Sequence, residues 1–269
     1  MKLTRIIPLL LALALLCGCS AMPFTTPEEQ QAAQQAAEAA KLENQSRADP
    51  REALQTDLQF SRLLVNSAGV TLAEYQVRFP YFSKTGQKAQ SFTRINEYYQ
   101  NELAGLNQDA NSLFASAKEA YGPDWDTVTE ADKRFFVNIS YQLPQAPEGY
   151  LCVQCDFSVC ENGQAEQYSQ AQVFLLDNGW RLTLEALLGS DYETAAPMLL
   201  ADILQWCGDN GVQVTNPEKR TLEEFSDSYA LTGEGFVFYT QPFQLNNKDA
   251  NRYSIPISLS AYRKMLELG

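Results

Sequence analysis

The sequence predicts an α+β fold: an antiparallel β-sheet with helices packed mainly on one face and one long amphipathic helix early in the chain. Three observations carry this expectation. Apolar residues recur at three- and four-residue steps from Ile95 and Tyr99 through Leu106, Leu113 and Ala117 to Tyr121, the period of a helix with one buried stripe. Alternating runs then follow over residues 135–143, 150–160 and 168–176, the period of half-buried strands. Asp177-Asn178-Gly179 supplies a strong turn before the short run at 180–184, so these runs read as a meander. Helical and extended pieces alternate after it, which places helices on one side of an antiparallel sheet.

Taken in order, the chain opens on a signal sequence over residues 1–18. Lys2 and Arg5 form its positive start, and residues 6–16 are apolar apart from Pro8. The run is about half of the roughly 20 residues a spanning helix needs, so it reads as a cleaved h-region. Leu16-Cys17-Gly18-Cys19 closes it and resembles a lipobox, with Cys19 the acylated residue. Two or three acyl chains on one cysteine suffice for stable anchoring. The expected location is the extracytoplasmic face of the cell membrane, with lipid on Cys19 as the membrane contact.

Residues 19–54 read as a tether. From Pro23 to about Pro50 the chain is rich in Ala, Gln and Glu with almost no large apolar residue, so it has nothing to bury. A coiled coil would need apolar heptads, and Leu42 stands nearly alone. Residues 55–269 are expected to form a single α+β domain, long enough for one sizeable core. Within it, residues 70–79 read as a strand stopped by Pro80, and residues 83–90 as a polar loop. The long helix ends near Gly122-Pro123. Later pieces are a helix near 192–207, a short helical piece at 218–225, strands at 229–231, 235–240 and 253–257, and a closing helix at 259–268.

Composition narrows the chemistry. The 269-residue chain contains no histidine, which excludes Ser-His-Asp and Cys-His catalysis and His-ligated zinc. Its 20 basic residues, less Lys2 and Arg5, leave 18 against 33 acidic, a net charge of −15 after cleavage. That charge disfavours nucleic acid and suits a basic partner. No cofactor, metal or catalytic residue is assigned. Asp124 and Asp126 flank Trp125, and Glu223, Glu224 and Asp227 lie close in sequence. Paired acids can serve glycan hydrolysis, but adjacent carboxylates are more often a solvated face. The Asn138-Ile139-Ser140 triplet fits a glycosylation pattern and is read as structural.

Four cysteines remain beyond Cys19: Cys152, Cys155, Cys160 and Cys207. On one strand, Cys152 and Cys155 would lie about 10 Å apart and Cys155 and Cys160 about 16 Å, at roughly 3.3 Å per residue. A disulfide needs Cα atoms about 4.4–6.8 Å apart. Alternation puts Cys155 on the apolar face with Leu151 and Val153, and Cys152 and Cys160 on the other. Cys155 and Cys207 both point to a core and are the candidate pair. Reduced structural thiols, one bridge involving Cys207 and a four-cysteine metal site remain open.

Several motifs then carry a resemblance. They are Phe79-Pro80 with Ile95-Asn96, Asp177-Asn178-Gly179 running into residues 182–188, residues 235–239 with Gln241-Pro242-Phe243, and Ile255-Pro256-Ile257 before a last helix. In this order they resemble the extracellular domain of RsiV-like anti-sigma factors over roughly residues 70–268. That family domain also occurs in other exported bacterial proteins. The resemblance implies a non-catalytic α+β recognition domain, which in the anti-sigma members binds lysozyme, a basic protein. One departure stands out: Asn162-Gly163-Gln164-Ala165-Glu166 replaces a Gly-Gly-Ala-His stretch. No spanning segment follows the signal run, so a sigma-factor role is not expected. The leading expectation is a lipid-tethered recognition module for a basic protein or cell-wall ligand. A glycan hydrolase using Asp124 and Asp126, or a structural envelope lipoprotein, are the alternatives.

Overall fold

Alternation along Thr71–Phe82 (β2) places Ala73, Tyr75, Val77 and Phe79 on one side of the strand, and all four are buried. The computed structural model describes residues 49–86, 88–131, 134–226 and 228–266. The signal sequence, Cys19, the tether to residue 48, and Asp227 lie outside the described residues. Preceding β2 is a strand the sequence reading left without an element, β1 (Leu54–Val65), paired antiparallel to it. Its alternation is faint because it is an edge strand. Leu58, Phe60 and Leu64 pack on the core while Leu63 and Val65 stay exposed.

The main sheet has six strands in the order β1-β2-β3-β4-β5-β6. It continues through β3 (Phe136–Gln142), β4 (Tyr150–Glu161), β5 (Gln164–Leu175) and the two-residue β6 (Arg181–Leu182). All its pairings are antiparallel except β2 with β3, which is parallel. A parallel pair cannot be joined by a hairpin and needs a crossover of a dozen or more residues. Helix α1 (Ala89–Tyr121) is that crossover. It lays Phe92, Ile95, Tyr99, Ala110, Phe114 and Ala117 onto the β2–β5 face and ends at Gly122, whose φ is +76°.

A second sheet corrects the single-sheet expectation. It has three antiparallel strands, β7 (Tyr229–Leu231), β8 (Gly235–Tyr239) and β9 (Ser254–Ser258). A helical run over residues 184–209 accompanies it, composed of α2 (Leu184–Leu188), a 3-10 turn at Gly189–Asp191 and α3 (Tyr192–Asp209). The early stretch is thus not the sole source of helical packing, and the helices do not share one face of one sheet. The fold class remains mixed α+β. Two further expectations change: residues 218–225 form separate 3-10 turns at Pro217–Lys219 and Leu222–Phe225, and the closing helix is a 3-10 turn at Leu259–Ala261 followed by turns.

Two cores result, and the β4–β5 hairpin contributes to both. Leu151, Val153, Cys155 and Phe174 join the α1 core. Cys152, Ala171 and Val173, pointing the other way, join the core built from α3 and the second sheet. At one joint, fully buried Asn96 closes the end of β2. Its Oδ1 accepts from the Phe82 N–H and its Nδ2 donates to the Phe82 carbonyl, each at 2.8 Å.

At a second joint the Asp177-Asn178-Gly179 turn meets the start of α1. A Cβ on Gly179 would lie 2.3 Å from the Ser91 carbonyl oxygen, and its φ is +75°. Lys88 pairs with Asp177 at 2.8 Å, and Arg94 donates to the Asn178 carbonyl at 3.0 Å.

Asn96→Leu keeps most of the side-chain volume but orphans a buried N–H and C=O. It is expected to lower unfolding free energy by about 2–4 kcal/mol, measured by urea denaturation. Gly179→Ala meets both a backbone clash and an unfavourable φ, and is expected to lower the melting temperature. An unchanged melting temperature would show that the turn does not dock closely on α1.

Candidate functional site

The face of the main sheet turned away from α1 changes character along its length. Where β4 and β5 meet the second core it carries Cys152, Ala171 and Val173. Further along the same strands it carries amides and hydroxyls. Register places Gln76 opposite Asn138, Asn138 opposite Ser158, and Ser158 opposite Gln167. These four polar side chains therefore form a row across β2–β5, spanning three strand spacings, or about 14 Å. Ser140, Asp156 and Ser169 form the neighbouring row. Tyr239, Thr240, Arg252 and Tyr253, from β8 and the segment leading into β9, wall one side. The groove has a volume of about 760 Å³, within the roughly 300–1,000 Å³ of small-molecule sites.

The wall and the row beside it are fixed by their own bonds. Asp156 accepts from Gln142 Nε2 at 2.7 Å, Gln154 Nε2 at 2.8 Å and Ser169 Oγ at 2.6 Å. Gln154 Oε1 accepts in turn from the Tyr239 hydroxyl at 2.8 Å, which ties the second sheet to the floor. Burial pushes the Tyr239 hydroxyl pKa up, so it stays a neutral donor. The Arg252 guanidinium lies 3.7 Å from the Tyr168 ring centroid, and Tyr168 stacks on Phe157 at 4.6 Å. Arg252 also donates to Glu166 and Gln241.

The first row of the floor, by contrast, is uncommitted. Among the described residues the side chains of Gln76, Asn138, Ser158 and Gln167 have no hydrogen-bond partner. The groove's charged residues, Glu74, Arg78, Asp156 and Arg252, are two of each sign. It is a neutral patch in an acidic chain. Among the described residues no group of three or more Cys, Asp or Glu side chains is placed to hold a metal ion. The arrangement is suited to hydrogen-bonding a polar, uncharged ligand.

The acids picked out from the sequence lie elsewhere. Asp126 accepts from the Ser67 N–H at 3.1 Å and Oγ at 2.7 Å, and those bonds hold its carboxyl pKa below the usual value. Asn66 donates to the Trp125 and Val128 carbonyls, so residues 124–128 fasten the β1–β2 turn. Neither Asp124 nor Asp126 lines the groove. Glu224 closes a capping box with Thr221 and pairs with Arg220. Asn162 and Gly163, where the sequence departs from the resemblance, both have positive φ, at 49° and 82°. They form the two-residue turn between β4 and β5. The amide row itself carries no motif. The available signal was that the groove-lining positions of β2–β5 are mostly amides and hydroxyls, with Glu74, Arg78 and Asp156 the charged residues among them, and the Asn138 triplet lay within it.

The four cysteines among the described residues, Cys152, Cys155, Cys160 and Cys207, are buried free thiols. Cys155 belongs to the α1 core and Cys207 to the other, together with Cys152. The structure places the two members of the candidate Cys155–Cys207 pair in different cores, where each thiol packs as a small apolar group.

No family model matches the chain, and no curated protein matches it. Among solved structures, a DUF3298 family member from Bacteroides fragilis aligns with a TM-score of 0.51 at 14% identity, over 78% of this chain and 92% of that one. A DUF3298 family protein from Pseudomonas aeruginosa aligns with a TM-score of 0.40 at 11% identity, over 76% and 90%. DUF3298 is a bacterial domain family of unknown function. The first likeness is one of fold alone.

Burial pushes the pKa of the Cys152 and Cys155 thiols well above the ordinary value, up to about 12. In the native protein Cys152, Cys155, Cys160 and Cys207 are therefore expected to resist iodoacetamide, and these four thiols to alkylate in denaturant without reductant, read by mass. A folded pKa above the unfolded one means stability is intact below about pH 9 and is lost as pH rises towards 12. The urea midpoint should therefore fall from pH 8 to about pH 11, and less steeply in Cys152→Ala.

Proposed function

We propose that the chain is a lipid-anchored extracytoplasmic recognition protein, held to the membrane by acylated Cys19, with the polar groove as its ligand site. The observation that carries this reading is the contrast inside the groove. Its wall, through Tyr239 and Arg252, and one floor row, through Asp156, are fixed by internal bonds, while the other floor row of amides and hydroxyls lacks internal partners. A site whose donors and acceptors are positioned before binding loses less free energy in ordering them.

The sequence supports the rest of the reading. The Leu16–Cys19 motif supplies an anchor, and no helix among the described residues is long and apolar enough to cross a membrane. The resemblance to the RsiV-like extracellular domain points to recognition without catalysis. Its motifs sit at structural joints. Asn96 closes β2, Gly179 lies against α1, and a Cβ on Gly235 would lie 2.0 Å from the Ile257 carbonyl oxygen. Residues of that kind preserve a fold and leave the ligand free to differ. The partner classes consistent with the charge and the location are a basic protein such as lysozyme and a component of the cell wall. The hydrolase alternative loses support because Asp126 is committed to Ser67.

Two measurements test the reading. Cys19→Ala is expected to leave the protein unacylated, moving it from the membrane fraction to the soluble fraction. Retention in the membrane fraction would remove the lipid anchor from the account. The full-length lipoprotein in detergent is expected to be retained on purified wall fragments or on immobilised lysozyme. Retention on neither would sink the recognition role, and loss of lysozyme retention at high salt would mark that contact as electrostatic.

A further inference from the structure

We propose that the groove takes an extended, uncharged oligosaccharide laid across β2–β5, its hydroxyls meeting the row Gln76, Asn138, Ser158 and Gln167. The inference rests on the recognition reading above and names the chemical class of its ligand.

The row excludes other classes by its chemistry. An apolar ligand would strip water from four polar side chains without replacing their hydrogen bonds, at about 1–3 kcal/mol for each group left unsatisfied. A polyanion would meet a chain of net charge −13, with one of the two groove arginines, Arg252, already engaged by Glu166. An extended peptide is usually held by pairing with an open sheet edge and by pockets for alternate side chains. Here the floor is the face of paired strands, so their backbone groups are already used.

A saccharide has what the site lacks. Each sugar hydroxyl is both donor and acceptor, and so is each floor amide. The balanced charges of Glu74, Arg78, Asp156 and Arg252 favour neither sign of ligand. Length points the same way. A small metabolite would engage one or two positions, whereas the row runs about 14 Å at the strand spacing, so a chain of linked rings is needed to use it all. Tyr253, half-buried, adds aromatic surface along the wall.

The test uses the full-length lipoprotein in detergent and the uncharged tetrasaccharide of N-acetylglucosamine as probe, with binding read by calorimetry. Saturable binding is expected. Asn138→Ala is expected to weaken it at least tenfold and the Gln76→Ala/Gln167→Ala double variant further. The melting temperature should stay unchanged, because these side chains have no partner in the folded protein. Binding that survives all three substitutions would place the saccharide elsewhere and overturn the inference. Lysozyme binding that Asn138→Ala abolishes, with no tetrasaccharide binding, would make the groove a protein-docking surface and also overturn it. Wall retention without tetrasaccharide binding overturns the saccharide assignment and leaves the recognition reading standing. Loss of every form of retention removes both.

Discussion

Residues 150–161 and 164–175 form a hairpin whose two faces are buried in different cores. Val153 lies under α1, while its neighbour Cys152 packs against the second sheet and α3. Side chains on a strand alternate with a period of two, so a slip of one residue would exchange the two sets. Both cores would then lose their complement at once. The Asn162-Gly163 turn fixes the register at one end. At the other, the Asp177-Asn178-Gly179 turn is pressed onto α1 at Ser91. The rest of the domain is arranged around this hairpin.

The groove follows from where that second burial stops. The three-stranded sheet covers the hairpin near Cys152 and Val173 but does not extend over Asp156, Ser158 and Gln167. The Tyr239–Gln154 hydrogen bond marks the boundary. Sequence on this face changes accordingly, from apolar where the sheet is covered to amide and hydroxyl where it is open. An ordinary solvent-facing sheet surface would carry more Lys and Glu, whose charges need no partner in water. The groove floor carries a row of neutral amides and hydroxyls beside a fixed wall, and this makes it a surface suited to a ligand.

Legibility followed the range of the interaction. The apolar face of β4 was readable because Leu151, Val153 and Cys155 alternate without interruption. β1 was not, because an edge strand buries one face weakly and Leu63-Leu64-Val65 breaks its pattern. The parallel β2–β3 pair was invisible, since pairing direction depends on where α1 delivers the chain. The cysteines divided in the same way. Spacing correctly forbade bridges along the strand, but it could not show that Cys155 and Cys207 lie in different cores. Asp124 and Asp126 looked like a reacting pair because side-chain partners 59 residues away, on Ser67 and Asn66, do not appear in a local motif.

The features legible from residue type and spacing are local: the lipobox-like Leu16–Cys19, the absence of histidine chemistry, the strand and helix periods, and the turn at Asp177-Asn178-Gly179. These depend on side-chain type and on the fixed direction of each Cβ, which neighbouring residues set. Tertiary structure alone decided the second sheet, the two-core hairpin, the separation of the thiols and the meeting of Gln76, Asn138, Ser158 and Gln167 in one row. Those four residues span 92 positions of the chain and carry no shared motif. Only pairing register, set by the burial of the opposite face, brings them together.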